Sequence, residues 1–312
     1  MIKSRFLILI NSIIVLLIVF SCNPKKDAAV LSIFPSPPDT SNLLVLANYI
    51  SPEDIAYIVA EKTTLKNGET RKKGIVSIPL NYDDFRGHSL DEVYWDRISI
   101  VEGDFRGDYF RKSKCANSDF SFSDFRVADM QWADFSNSVL KSCNFEQTKM
   151  FFLHVDNADF SGTSLKGANM FGIEGYNVNF RNCNFSNALM KEAELIDSDF
   201  TGSVALKTNF IMAVLIGSKA DSADFSYSEF MSADLKDASF INSRFIDVNF
   251  QGANLQDADF SGADLKNCNF MGAEFVNTIF VGAINIPDEL KQNIVDDRYT
   301  GVLGLGKETI DN

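Results

Sequence analysis

His88 and His154 are the two histidines of this chain, and five cysteines complete its set of strong metal ligands and nucleophiles. A zinc or catalytic centre draws several such groups together at ligand spacing. Neither histidine has a second histidine or a cysteine pair at such a spacing. Gly-rich phosphate loops, a nucleophile elbow and a zinc-binding HExxH are absent from the sequence. Serines are plentiful, but they recur with a regular period rather than beside a base. Carboxylates recur too, on what reads as an open surface and not in a cleft. Stacked Asp and Asn oxygens could hold a hard cation such as Ca²⁺, which keeps cation binding as a third-ranked reading. The chemistry thus predicts no enzyme, no cofactor and no metal centre.

The residues that position everything else follow a period of five. From Phe85 to Phe280 a large residue occupies every fifth position, 40 positions in all, and Phe fills 21 of them and Leu 8. Trp95, Ile100, Met130, Met150, Val155, Met170 and Met190 fill others; only Cys115, Gly175, Ala205 and Ala220 break the rule. Residues five apart on a helix lie about 140° apart, so no stripe forms. On a straight strand an odd spacing alternates faces. The chain must therefore turn within each quintet so that its large residues share one axis. Two positions before each large residue the side chain is small, from Ser113 to Ala283, except at Leu153 and Ile173. One large and one small inward residue per quintet fills a narrow core. Cys143, Cys183 and Cys268 take the small position and Cys115 the large one, which reads as buried thiols. Cys143 and Cys183 are two coils apart, about 9.6 Å by strand spacing, too far for a disulfide.

Ala128-Asp129-Met130, Ala158-Asp159-Phe160-Ser161-Gly162, Ala253-Asn254-Leu255 and Ala263-Asp264-Leu265-Lys266 resemble the A-(D/N)-L-x-x signature of the pentapeptide-repeat family. The resemblance covers about two thirds of the chain, with Phe preferred to Leu at the large position. It implies an all-β fold: a right-handed, quadrilateral parallel β-helix with four quintets per coil. On that reading residues 81–286 make about ten coils and a rod about 48 Å long.

The ends follow other rules. Lys3 and Arg5 precede an apolar run, Phe6 to Phe20, too short to span a bilayer but suited to an export signal. With Ser21 before Cys22, residues 1–22 resemble a bacterial lipoprotein signal peptide, which implies acylation of Cys22 and attachment to a membrane of the cell envelope. A plain secretory signal or an uncleaved anchor is the alternative. Residues 23–40, with Pro24, Pro35, Pro37 and Pro38, read as a tether. Residues 41–80 read as a hairpin around Lys66-Asn67-Gly68-Glu69, serving as a cap on the open coil or as a small binding module. Residues 287–312 read as a capping helix, with Ile286, Leu290 and Ile294 on one face, and a loose glycine-containing tail.

Charge and apolar surface locate the candidate contacts. The chain carries a net charge of −13, and residues 81–286 alone hold 30 acidic and 17 basic residues. With twenty residues per coil, Asp134, Asp156, Glu174, Glu194, Asp197, Asp234, Asp237, Asp257 and Glu274 fall together as an acidic face. This face is a solvated, self-repelling surface or a site for a basic partner. It suits neither nucleic acid nor an anionic lipid surface. On the neighbouring side, centred on Leu90, Phe110 and Met130, the outward positions include Trp132, Phe151, Phe152, Phe171, Ile211, Met212, Met231 and Met271. Contiguous apolar surface of this kind marks an interface, with an unknown protein partner or with a second copy, unless the N-terminal module folds over it. Gly175 in a large slot and Ile173 in a small one predict a bulge or kink over 171–176. The reading as a whole is a non-catalytic, membrane-anchored scaffold. The alternative from the same resemblance is an acidic DNA mimic of the gyrase-protecting type, which the signal segment opposes.

Overall fold

The structure is a computed structural model that describes residues 6–10, 13–17, 61–64, 70–74, 86–87 and 89–295. Its body is a right-handed, four-sided parallel β-helix. Parallel bridges join each residue to the one twenty positions on, from Ser89↔Tyr109 to Asp264↔Ile284. Each coil is therefore four quintets, one per side.

One quintet shows why the backbone accepts this path. The N–H of Asp124 donates to the Gly103 carbonyl of the preceding coil (2.9 Å), and those of Phe125 and Val127 donate to Asn144 and Glu146 of the next (2.8 and 3.1 Å). The N–H of Ala128 closes a turn on the Phe125 carbonyl at 3.0 Å. The fifth, Arg126, donates to the side-chain Oδ1 of Asp124 at 3.1 Å. All five donors are satisfied, as a chain with this much buried backbone requires. The last of these bonds explains the Asp or Asn before the large residue. The same bond recurs from Ser121 to Asp119, Glu146 to Asn144 and Ser161 to Asp159.

Every corner is a β-turn with positive φ at its second central residue, the pattern of a type II turn. All 40 such positions from Gly87 to Gly282 have it: eleven glycines and 29 other residues. Asparagine, with a short side chain that tolerates the left-handed region, fills nine of them. Val127 (φ 58°), Phe122 (63°), Trp132 (56°), Phe152 (52°), Met212 (58°) and Tyr227 (66°) do not belong there on local grounds. A β-branched or bulky residue in that region is an outlier.

Inside, the large residues stack coil on coil. Phe105, Phe125 and Phe145 form one column with ring centroids 4.7 Å apart at both steps. Phe210, Phe230, Phe250 and Phe270 form another, at 4.6, 5.3 and 5.0 Å. The small positions also carry hydrogen bonds. Thr148 Oγ1 donates to the Phe125 carbonyl and Thr163 Oγ1 to that of Leu140 (2.9 and 2.8 Å), each tying one coil to the coil before it. The Cys143, Cys183 and Cys268 thiols make the same bond, at 3.0, 2.9 and 3.0 Å. Asp108, fully buried, puts a carboxylate in one of these inward positions.

The stretch 171–176 corrects the expected bulge. Strands β6 (Glu174–Tyr176) and β7 (Glu194–Ile196) pair in parallel with unbroken register, Gly175 opposite Leu195. The corners on either side keep positive φ at Gly172 and Asn177. Ile173 points inward and is fully buried. A Cβ at Gly175 would lie 2.7 Å from Val178 Cγ2 and 2.9 Å from Val155 Cγ2. Neighbouring valines thus fill the space a large residue leaves, and the coil stays regular.

At the N-terminal side, β1 (Phe6–Ile10) pairs antiparallel with β2 (Ile13–Leu17). Strands β3 (Glu61–Thr64) and β4 (Thr70–Gly74) pair antiparallel, Thr64 opposite Thr70. β4 then pairs in parallel with β5 (Val93–Trp95), so the hairpin lies on the open edge of the first coil. Cys22, the tether, the loop at Asn67-Gly68 and the tail beyond residue 295 lie outside the described residues. At the other end α1 (Asp288–Val295) closes the rod, with Ile286 and Leu290 buried.

Replacing Val127 by Asn should stabilise the fold by about 1 kcal/mol, read as a higher urea-denaturation midpoint, because left-handed strain is relieved. Phe245→Ala removes a ring stacked on Phe225 at 5.3 Å and should cost about 3–5 kcal/mol. One alanine inserted after Ser198 should lower the midpoint more than either change, since every later quintet loses phase.

Candidate interaction surfaces

The eight apolar candidates do not sit on a flat side. Trp132, Phe151, Phe152, Phe171, Ile211, Met212, Met231 and Met271 all occupy the turn that follows the Leu90–Phe110–Met130 side. They form an edge of the rod, because the side's outward position carries the bridging residue and the apolar residues come one and two places after the large one. Trp132 is 47% exposed, Met212 52% and Met271 54%; Phe151, Phe171, Ile211 and Met231 are half-buried. The expected continuity is also corrected. Lys191 and Glu192, paired at 3.3 Å, interrupt the edge after Phe171, and Gln251 and Gly252 interrupt it before Met271.

The part from Trp132 to Phe171 is built. Trp132 stacks on Phe152, centroids 6.3 Å apart and planes 15° from parallel. Phe171 meets Phe152 edge-on at 5.5 Å. The Phe152 ring lies over Gly172, where a Cβ would come within 2.6 Å of a ring carbon. Gly172 thus serves two ends: its positive φ and the close approach of a ring. Large residues are exposed on other corners as well: Phe122, Val127, Tyr176 and Tyr227. Phe122, Val127 and Tyr227 take the same second turn position as Trp132, and Tyr176 takes the first, on the other three corners.

The nine acidic candidates divide between a side and the corner after it. Asp134, Glu174, Glu194, Asp234 and Glu274 share one column of parallel bridges, with His154, Val214 and Asn254 between them. Asp156, Asp197, Asp237 and Asp257 lie on the adjoining corner. Several are tied down. Lys114 Nζ lies 3.2 Å from Asp134 and His154 Nδ1 3.1 Å from Glu174. Asn254 and Asn277 donate to Asp234 and Asp257, each at 2.9 Å. Burial pushes the Asp134 carboxyl up, but hydrogen bonds from Ser136 and Lys114 outweigh it and leave it below its ordinary value. The side-chain hydrogen bond from Arg106 does the same for Asp104. Thus Asp134, Glu174, Asp234 and Asp257 are anchored carboxylates, and sequence reading missed their partners.

Burial pushes the Cys183 and Cys268 thiols up to about 12 and Cys115 and Cys143 above their ordinary values. Among the described residues no group of three or more His, Cys, Asp or Glu side chains is arranged to hold a metal ion. His88 lies outside the described residues.

Two outcomes test this geometry. Gly172→Ala should lower stability by about 1 kcal/mol or more, and Phe152→Ala in the same chain should recover part of that loss; a double-mutant cycle in urea reads the coupling. Carboxyls held low in the fold contribute stability above their ordinary pKa and lose it as pH falls through the depressed value. The urea midpoint should therefore hold from neutral pH to about pH 5 and fall below about pH 4, less steeply in Asp134→Asn.

Residues 104–141, 176–204 and 249–284 match the family model for pentapeptide repeats, in eight copies. No curated protein sequence matches the chain. Among solved structures it is similar to a trypsin-treated form of QnrB1, a plasmid-mediated fluoroquinolone resistance protein, at 17% identity and TM-score 0.44 over 69% of this chain and 93% of that one. HetL, a pentapeptide repeat protein from the cyanobacterium Nostoc sp., is 16% identical over 64% and 90% of the two chains, TM-score 0.28. A pentapeptide repeat protein from the thylakoid lumen of Arabidopsis thaliana is 26% identical over 38% and 77%, TM-score 0.29. The unbroken register of five, the Asp- or Asn-capped turns and the twenty-residue coil run through all three stretches that match the pentapeptide-repeat model.

Proposed function

We propose that the chain is a non-catalytic scaffold, held to a membrane of the bacterial envelope through acylated Cys22, that presents a rigid surface to partners. The observation that carries this is where the bulky residues stand. Trp132, Phe152 and Met212 hold left-handed corner positions that favour Gly or Asn, and all three remain exposed. A chain that keeps strain of order 1–2 kcal/mol at each such position, under side chains that stay exposed, has the signature of a contact surface. The acidic column and its corner give the rod a second surface, suited to a basic protein partner. Ser21-Cys22 after the apolar run supports the tether.

The acidic surface also bears on the DNA-mimic reading, in which carboxylates stand in for phosphates. His154, Val214 and Asn254 interrupt the column at irregular places, which weakens a regular imitation of a phosphate row. QnrB1's resistance role belongs to that protein; transferred here it would require a rod free in the cytoplasm.

Membrane fractionation separates the readings. Wild-type protein should remain with membranes after a high-salt wash, and Cys22→Ala should move to the soluble fraction. Equal partitioning of both proteins would sink the tether, and a soluble cytoplasmic wild type would favour mimicry. Capture of one stoichiometric basic protein, lost on changing Asp234, Asp237 and Glu274 to their amides, is the expected result of cross-linking at the acidic surface.

A further inference from the structure

We infer that the aromatic edge built from Trp132, Phe152 and Phe171 docks on an anionic lipid surface, so that the tethered rod lies along the bilayer. This deepens the tethered reading and takes only its setting from it.

Three observations point the same way. The first is shape. Trp132, Phe152 and Phe171 protrude from a convex edge, where a flat protein partner would meet little more than a line. The interfacial layer of a bilayer admits such a ridge, and Trp is among the residues enriched there. The second is charge. The two corners and the side that contain the ridge, residues 106–112, 126–132, 146–152, 166–172 and 186–192, hold seven basic and four acidic residues, whereas residues 81–286 hold 17 and 30. Of those four acids, Asp108 and Asp129 are buried. The arginines lean on neighbouring acids: Arg111 on Asp91, Arg106 on Asp104 and Arg126 on Asp124. Lys112, Lys149 and Lys166 are exposed and have no ion-pair partner among the described residues. Lys112 occupies the same corner position as Trp132, one coil earlier, and Lys149 is two residues before Phe151. The third is segregation. The acidic column begins on the other side of this edge and continues to the next corner, so a rod resting on the ridge carries its anchored carboxylates away from the lipid. Aromatic residues bordered by lysines are the composition of a segment that lies in a membrane interface.

Tryptophan fluorescence tests this directly, because the chain has two tryptophans and Trp95 is fully buried. The full chain with Cys22→Ser, which cannot be acylated, is mixed with vesicles of phosphatidylcholine alone or with phosphatidylglycerol, each doped with brominated lipid. Emission from Trp132 should shift to the blue and be quenched by the phosphatidylglycerol vesicles, and added salt should reverse both. Reversing the three lysines (Lys112→Glu, Lys149→Glu, Lys166→Glu) should weaken vesicle affinity about tenfold or more, with circular dichroism unchanged. Phe152→Asn, which suits the corner's backbone, should reduce quenching without loss of fold. Sedimentation with vesicles while Trp132 emission stays unshifted means attachment through residues 1–22 alone and overturns the proposal. So does an equal shift with neutral vesicles, with single-stranded nucleic acid, or on raising protein concentration without lipid. Membrane loss of the Cys22 variant in cells beside an unshifted Trp132 would leave the tether standing and remove the ridge.

Discussion

The rod rests on one local event repeated every five residues: a β-turn whose second central residue sits in the left-handed region and whose first N–H is capped by the Asp or Asn side chain just before it. That turn redirects the chain by about a quarter of a circuit, so four of them return it above its own start. Only then do the carbonyls and N–H groups of successive coils face one another, as between Asp129 and Lys149. Only then do Phe105, Phe125 and Phe145 fall in one column. Hydrophobic burial supplies the larger share of the stabilisation, but its geometry is set by the corner.

This dependence explains which departures the fold tolerates. Gly175 and Ile173 exchange size inside one coil, and the backbone does not register the exchange because Val155 and Val178 occupy the vacated volume. Corner residues are freer in type than local preference suggests. Bonds at 3.0–3.1 Å from neighbouring coils hold Val127, Phe152 and Met212 in place, so coil-to-coil hydrogen bonding overrides the cost of a bulky residue there. Each such corner then becomes a stiff mount for whatever side chain it bears. Stability in such an array is a sum of neighbour terms, so a few strained corners can be carried by many relaxed ones.

Charge follows the same lattice. Because residues twenty apart are neighbours, a modest sequence bias becomes a column: acids on the side of Asp134, Asp234 and Glu274, and lysines near the corner of Trp132. Some of the acids are further fixed by Asn and Lys partners one coil away, as Asn254 fixes Asp234 and Lys114 fixes Asp134. Side chains pinned in this way present charge at defined positions, which suits selection of a partner better than a mobile acidic cloud does.

Much of this was legible in the order of residues. A period of five is incompatible with helix and with straight strand, so Phe85 through Phe280 demanded a coiled path, and counting by twenty shows which residues stack in successive coils. What counting could not supply was the third dimension of each quintet. It put Trp132 and Phe152 on a flat side, although they stand on an edge; it read Thr148 and Cys143 as mere small fillers, although they donate to the coil before; it read Gly175 as a kink. The pattern of side-chain size determines that the chain winds and which residues point inward, because burial is a property of the residue. Where the backbone bends, which donors find acceptors and how a vacancy is filled depend on atoms twenty residues away, and those meet only after the coil has closed.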